Sequence, residues 1–174
     1  ALALDQKSVG FKPKVFEQDS AKRDDPRVAD PVLKEGALLT KVFNRLARSC
    51  FYEAQKNFEG YMPLGRVSKE VLKKVYNVMC AYEETMYRVE LHSIMSQMDE
   101  FIRYANKYWS SHIKEADQEG SEELRRQTLI DSFYLLRIAT LLMHPIVPRG
   151  TEKICDFMNF DFDEFFSWNY DFDS

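Results

Sequence analysis

Between Gly65 and Pro145 the chain carries one glycine, Gly120, and no proline, while apolar residues recur every three or four positions. That spacing marks one face of an α-helix, and so few breakers leave little room for the turns of a β-sandwich or barrel. Over 174 residues Gly and Pro number only 6 each, and 45% of the chain is apolar, with 13 Phe, 9 Tyr and 2 Trp. That excludes a disordered chain and supplies one packed core. An all-α fold is expected.

Asp30 followed by Pro31 suits a helix start, since Asp accepts from free first-turn N–H groups and Pro is tolerated at the first helical position. The stripe Leu39, Val42, Phe43, Leu46, Cys50, Ala54 and Phe58 carries this helix to about Asn57, where Gly60 and Pro63 stop it. Ser68 caps a second helix with Val71, Leu72, Val75, Val78, Met79, Tyr82 and Met86 inward. A turn near Arg88 to Glu90 separates it from a third, which runs from Leu91 and ends before Gly120. Ser121 opens a fourth, the most apolar and so the central one. His144-Pro145-Ile146-Val147-Pro148 breaks the chain, because each proline biases its predecessor away from helix, and a short fifth helix spans about Thr151 to Met158.

Four long helices and a short fifth, joined by loops of a few residues, predict an antiparallel up-and-down helical bundle. Residues 1–29 read as a connector, 30–160 as the helical domain, and 161–174 as an aromatic-acidic tail that folds back onto the bundle. The chain opens on Ala1 and not on Met, so a piece of something longer is expected.

No apolar run approaches the roughly 18 residues of a membrane span, and no secretory leader is visible. The three cysteines, Cys50, Cys80 and Cys155, lie at wide spacings on apolar stripes and suit neither a disulfide framework nor a zinc site. A soluble protein of the reducing cytoplasm is expected. The net charge of -4 is uneven, because residues 161–174 hold five acids and no base and leave residues 1–160 at +1. Within Pro31 to Phe58, Lys34, Lys41, Arg45, Arg48 and Lys56 face only Glu35 and Glu53. One face can therefore meet an anion although the whole is acidic.

Enzymatic signatures are missing. A two-metal bundle needs Glu-x-x-His pairs, and the closest approach, His112 with Glu115, sits at a polar helix end where solvation is the simpler reading. There is no Gly-x-Ser-x-Gly elbow and no Gly-rich phosphate loop, so no catalytic residue, metal site or cofactor is assigned to this chain. What remains is the polar side of the first helix. Lys41, Asn44 or Arg45, Arg48, Tyr52 and Gln55 recur at three and four, opposite the apolar stripe. Such a line is either a solubilising face or one that reads unstacked bases with Asn and Arg while Lys holds phosphates.

Lys41-Val42-Phe43-Asn44-Arg45-Leu46-Ala47-Arg48, then Gly60-Tyr61-Met62-Pro63, then Met98-Asp99-Glu100 to Ala105-Asn106-Lys107-Tyr108, then Leu141 to Pro148, in that order, resemble the C-terminal part of the methionyl-tRNA synthetases. The resemblance covers about residues 30–160. It implies the anticodon-binding domain of a class I aminoacyl-tRNA synthetase, whose parent joins methionine to its tRNA using ATP. The family's His-Ile-Gly-His and Lys-Met-Ser-Lys-Ser signatures are not in this chain. The implied partners are the CAU anticodon loop of the methionine tRNA and a catalytic domain outside this sequence, with no DNA and no membrane. The family reads its anticodon partly with an Asn and an Arg four residues apart, and Asn44 and Arg48 have that spacing. Where the family has a Pro-Trp pair for base stacking, this chain has Ile113-Lys114-Glu115. Trp109, one turn earlier, either takes over the stacking or is a packing residue beside Tyr108. A rival from another class is a helical protein-interaction module with this fold and no RNA specificity.

Overall fold

A computed structural model describes residues 39–168, so the expected connector, the Asp30-Pro31 start and the last residues of the tail lie outside it. Four long helices carry the fold: α1 (Asn44–Asn57), α2 (Lys69–Tyr87), α3 (Leu91–Glu119) and α4 (Glu122–Met143). Two shorter ones follow, α5 (Pro148–Met158) and the single turn α6 (Phe162–Phe165). Among the described residues there is no strand, and the expected all-α bundle is the fold observed.

Local chemistry sets most helix ends. Ser68 accepts from the Val71 amide at 3.4 Å and Ser121 from the Leu124 amide at 3.2 Å, each occupying a first-turn N–H that the helix itself leaves free. Gly120 closes α3 at φ 62, a left-handed position that costs a residue without Cβ nothing. Arg88, Val89 and Glu90 make the turn between α2 and α3, with Val89 at φ 58.

Long-range hydrogen bonds give the directions. Asn106 of α3 donates to the Val42 carbonyl at 2.9 Å, and eleven residues further along each helix Glu53 and Asp117 share Arg125. The first and third helices therefore run the same way. Ser68 meets Asp131 and Tyr82 meets the Leu142 carbonyl, so α2 runs with α4, while Gln97 at the start of α3 meets Thr85 at the end of α2. The bundle is up, down, up, down. Its middle is α4, where Leu129, Leu135, Leu136 and Ile138 are wholly buried, as its even apolarity predicts.

Inside this core, Asp131 is fully buried and accepts from Tyr108 Oη at 2.7 Å, the Ser68 amide at 2.8 Å and Gln127 Nε2 at 3.1 Å. Three helices are tied at one carboxylate. Burial, with the hydrogen bond to Asp131, pushes the Tyr108 hydroxyl well above its ordinary value.

Several expectations change. The fifth helix starts at Pro148, three residues before Thr151, because proline at the first position needs no amide partner. The α1–α2 connection is longer than a few residues, running Phe58 to Ser68, and it is fastened by Arg126 on the Leu64 carbonyl and Gln127 on the Arg66 carbonyl. Cys80 is exposed beside outward Tyr76, whereas Cys50 and Cys155 are buried. Of the expected solvated pair, Glu115 is exposed and His112 only partly so: its ring stacks on Tyr108 at 4.1 Å and Nδ1 lies 2.9 Å from the Tyr108 carbonyl. A carbonyl only accepts, so Nδ1 carries the proton. The one-turn α6, capped by Asp161, buries Phe165 completely, and Phe166 stacks on His144 at 4.0 Å.

Candidate functional site

A turn of wider π-helix, Leu39–Phe43, leads without a break into α1. At this junction Asn106 Nδ2 donates to the Val42 carbonyl at 2.9 Å and to the Ile102 carbonyl at 3.0 Å. Asn106 therefore sets where α1 begins relative to α3. Asn44 stands two residues beyond this clamp.

On the far side of α1, Phe43, Leu46, Ala47, Cys50 and Ala54 are buried, as expected from their spacing. Lys41, Asn44, Arg45, Arg48, Tyr52, Gln55 and Lys56 are exposed, with Tyr52 66% accessible. Asn44 and Arg48, four apart, project from the same outward face.

Glu53, the acid of this helix, is buried and accepts from Arg125 Nη1 at 2.7 Å and from Asn57 Nδ2. Arg125 also bonds Asp117, and these hydrogen bonds, Glu53 first, hold its guanidinium more firmly charged than usual. Glu53 is thus turned inward and neutralised. The exposed surface from Lys41 to Lys56 carries four cations and no anion. Sequence spacing alone gives Glu53 no such fate, because its partner lies 72 positions away.

Trp109 sits differently. Asn106 marks the side of α3 that touches the start of α1, and Trp109 lies one turn further along, half-buried and packed against the core. Ile113, where a stacking aromatic is absent, is half-buried, while Lys114 and Glu115 are exposed. The structure therefore places Asn44 and Arg48 on one exposed face and Trp109 half-buried against the core.

A feature absent from the sequence reading adjoins the C-terminal half of α1. A cavity of about 410 Å³ opens between Phe51, Ala54 and Gln55 of α1, Gly60 and Met62 of the following loop, Phe133, and Phe157, Met158 and Phe160 around the end of α5. Phe133 meets Phe51 edge-on at 5.6 Å, and Phe51 meets Phe157 edge-on at 6.1 Å. Phe157 remains 74% exposed. Its one sequence signal is an aromatic lying off the buried Thr151–Ile154–Cys155 side of its helix.

Among the described residues no cluster of three or more His, Cys, Asp or Glu could hold a metal ion, and no helix is long and apolar enough to cross a membrane. Burial raises the Cys50 thiol far above its ordinary value, which makes it inert packing.

The chain is related in sequence to methionine–tRNA ligases. It is 31% identical over 93 residues to that of Ignicoccus hospitalis, covering 52% of this chain and 16% of the relative. It is 28% identical over 104 residues to that of Bacillus cereus, covering 58% and 18%, and 24% identical over 100 residues to that of Korarchaeum cryptofilum, covering 56% and 18%. The chain thus spans under a fifth of each relative's length. In fold it matches the free-state methionyl-tRNA synthetase of Mycobacterium tuberculosis with a TM-score of 0.64 at 19% identity, over 77% of this chain and 29% of that one. No family model matches.

Proposed function

We propose, from the premise that this chain is a partial-length relative of the methionyl-tRNA synthetases, that it is the anticodon-binding domain of a methionine–tRNA ligase. The activity of the whole, joining methionine to its tRNA with ATP, belongs to a catalytic domain whose signature motifs this sequence lacks. The part played here is to bind the CAU loop and hold it in register.

The observation that carries this reading is the outward face of α1, which is cationic because Glu53 is turned inside. Lys41 and Lys56 suit phosphates as point charges and Arg45 as a two-pronged donor, while Asn44 and Arg48 supply planar, directional donors for the edges of unstacked bases. A rigid helix matters as much as the groups themselves. Asn106 at one end and the Glu53–Arg125–Asp117 group near the other fasten α1 to the bundle, so the two side chains meet the loop with little ordering left to do. A protein-interaction module is the second reading, favoured by the lack of an aromatic at Ile113 to Glu115.

The test is titration of the chain with a CAU anticodon stem-loop and with a scrambled loop at one fixed salt, for wild type and Arg48→Ala. A CAU preference that falls in the variant by about 1–3 kcal/mol is expected, the cost of one lost partner in a desolvated contact. Binding should also weaken as salt rises, with a slope set by the phosphates neutralised. Equal binding to both loops, unchanged by Arg48→Ala, would refute the assignment.

A further inference from the structure

We infer that the aromatic cavity at the end of α1 is a binding pocket for a single unstacked nucleobase, an extension of the face that carries Asn44 and Arg48. This rests on the RNA-binding reading proposed above. The cavity, about 410 Å³, falls in the range of pockets that enclose small planar ligands, and its lining holds no acid.

The occupant follows from chemistry and position. Phe157, 74% exposed, stands at the outer end of the Phe133–Phe51–Phe157 series, anchored edge-on from beneath, so a ring face remains available for stacking. Stacking on an aromatic face is how proteins hold a splayed base without regard to its identity. Gln55 is the lining side chain with both a donor and an acceptor, the minimum needed to discriminate a base edge. Gln55 also belongs to the line that begins at Lys41 and passes through Arg48 and Tyr52, and it lies two turns, about 10 Å, beyond Arg48 along the helix. A strand whose phosphates follow the cations Lys41, Arg45 and Lys56 while its bases turn toward Asn44 and Arg48 therefore passes the mouth of the cavity. A protein partner would find the same apolar walls, but the cationic approach suits a polyanion.

The pocket also answers a difficulty at Trp109. With that ring half-buried and no aromatic at Ile113 to Glu115, the stacking platform lies on α5, on the other flank of α1. The same task is met from a different helix.

The experiment uses the full 174-residue chain and CAU stem-loops in which one loop base at a time is replaced by 2-aminopurine, whose fluorescence is quenched on stacking. One replacement should report strong quenching on binding. Phe157→Ala should abolish that quenching and weaken binding about 5- to 100-fold, and Phe157→Tyr should restore both. Gln55→Ala should relax base preference at that position with a smaller loss of affinity. Phe157 is exposed enough that its truncation leaves the bundle folded, which circular dichroism checks. If wild type keeps its CAU preference while Phe157→Ala changes neither signal nor affinity, the pocket assignment falls. If wild type shows no CAU preference, both readings fall together.

Discussion

Replacing Tyr108 by Phe removes one hydroxyl from the centre of the bundle, and the surroundings of Asp131 set the cost. That carboxylate is wholly inaccessible and takes 2.7 Å from Tyr108 on one oxygen and 2.8 and 3.1 Å from the Ser68 amide and Gln127 on the other. Tyr108→Phe leaves one oxygen without its donor, and because the acceptor is charged the loss is about 1.5–3 kcal/mol. Asp131→Ala takes the acceptor from the buried Tyr108 hydroxyl and from the Ser68 amide together, so about 3–4 kcal/mol is expected. In the double variant the hydroxyl that Asp131→Ala would strand is no longer there, and the second change should cost close to nothing. The coupling is therefore about 2 kcal/mol, well beyond the few tenths expected of independent sites. Urea unfolding measures it: with a slope of about 2 kcal/mol/M, Tyr108→Phe lowers the midpoint by about 1 M. Strictly additive losses, or a Tyr108→Phe shift below about 0.3 M, would refute the claim that Asp131 depends on these donors. CAU binding by Tyr108→Phe below its unfolding transition should match wild type, since the network lies inside the bundle.

Two further outcomes follow from the same structure. Asn106→Ala should cost about 1 kcal/mol by urea unfolding and speed hydrogen exchange selectively at the first amides of α1, because the lost contact fixes the Val42 carbonyl; exchange unchanged there would show the clamp to be idle. At alkaline pH the sign is set by Tyr108 and Cys50, whose folded values are raised, by burial first, above the ordinary 10.0 and 9.0. Their stabilisation is intact below those values and is lost as pH rises through and past them. The melting temperature should hold to about pH 8.5 and then fall, with a shallower fall in Tyr108→Phe; a rise would contradict this reading.

The parts of the fold legible from sequence are those that short-range chemistry controls. Asn57 ends α1, Ser68 and Ser121 cap their helices, and Gly120 closes α3, because each signal acts within one turn. The exposure of Asn44 and Arg48 was legible too, since helical period alone places them opposite Leu46 and Cys50. Cys80 escaped because the apolar side of α2 is narrower than its apolar composition suggests. Asn106 looked like one letter of a motif, although its amide spans 64 positions to hold the start of the face-bearing helix.

By itself the sequence determined a helical bundle, its caps and breaks, and the set of polar groups that α1 presents, all of which follow from a period of 3.6 residues and from the few side chains that satisfy a helix end. Only the tertiary structure decided the character of that face. Glu53 turns inward because Arg125 arrives from α4, Trp109 is half-buried because its side of α3 packs against the core, and Phe157 stands open because α5 returns beside α1. Each of these depends on which helices become neighbours, and local period carries no information about that.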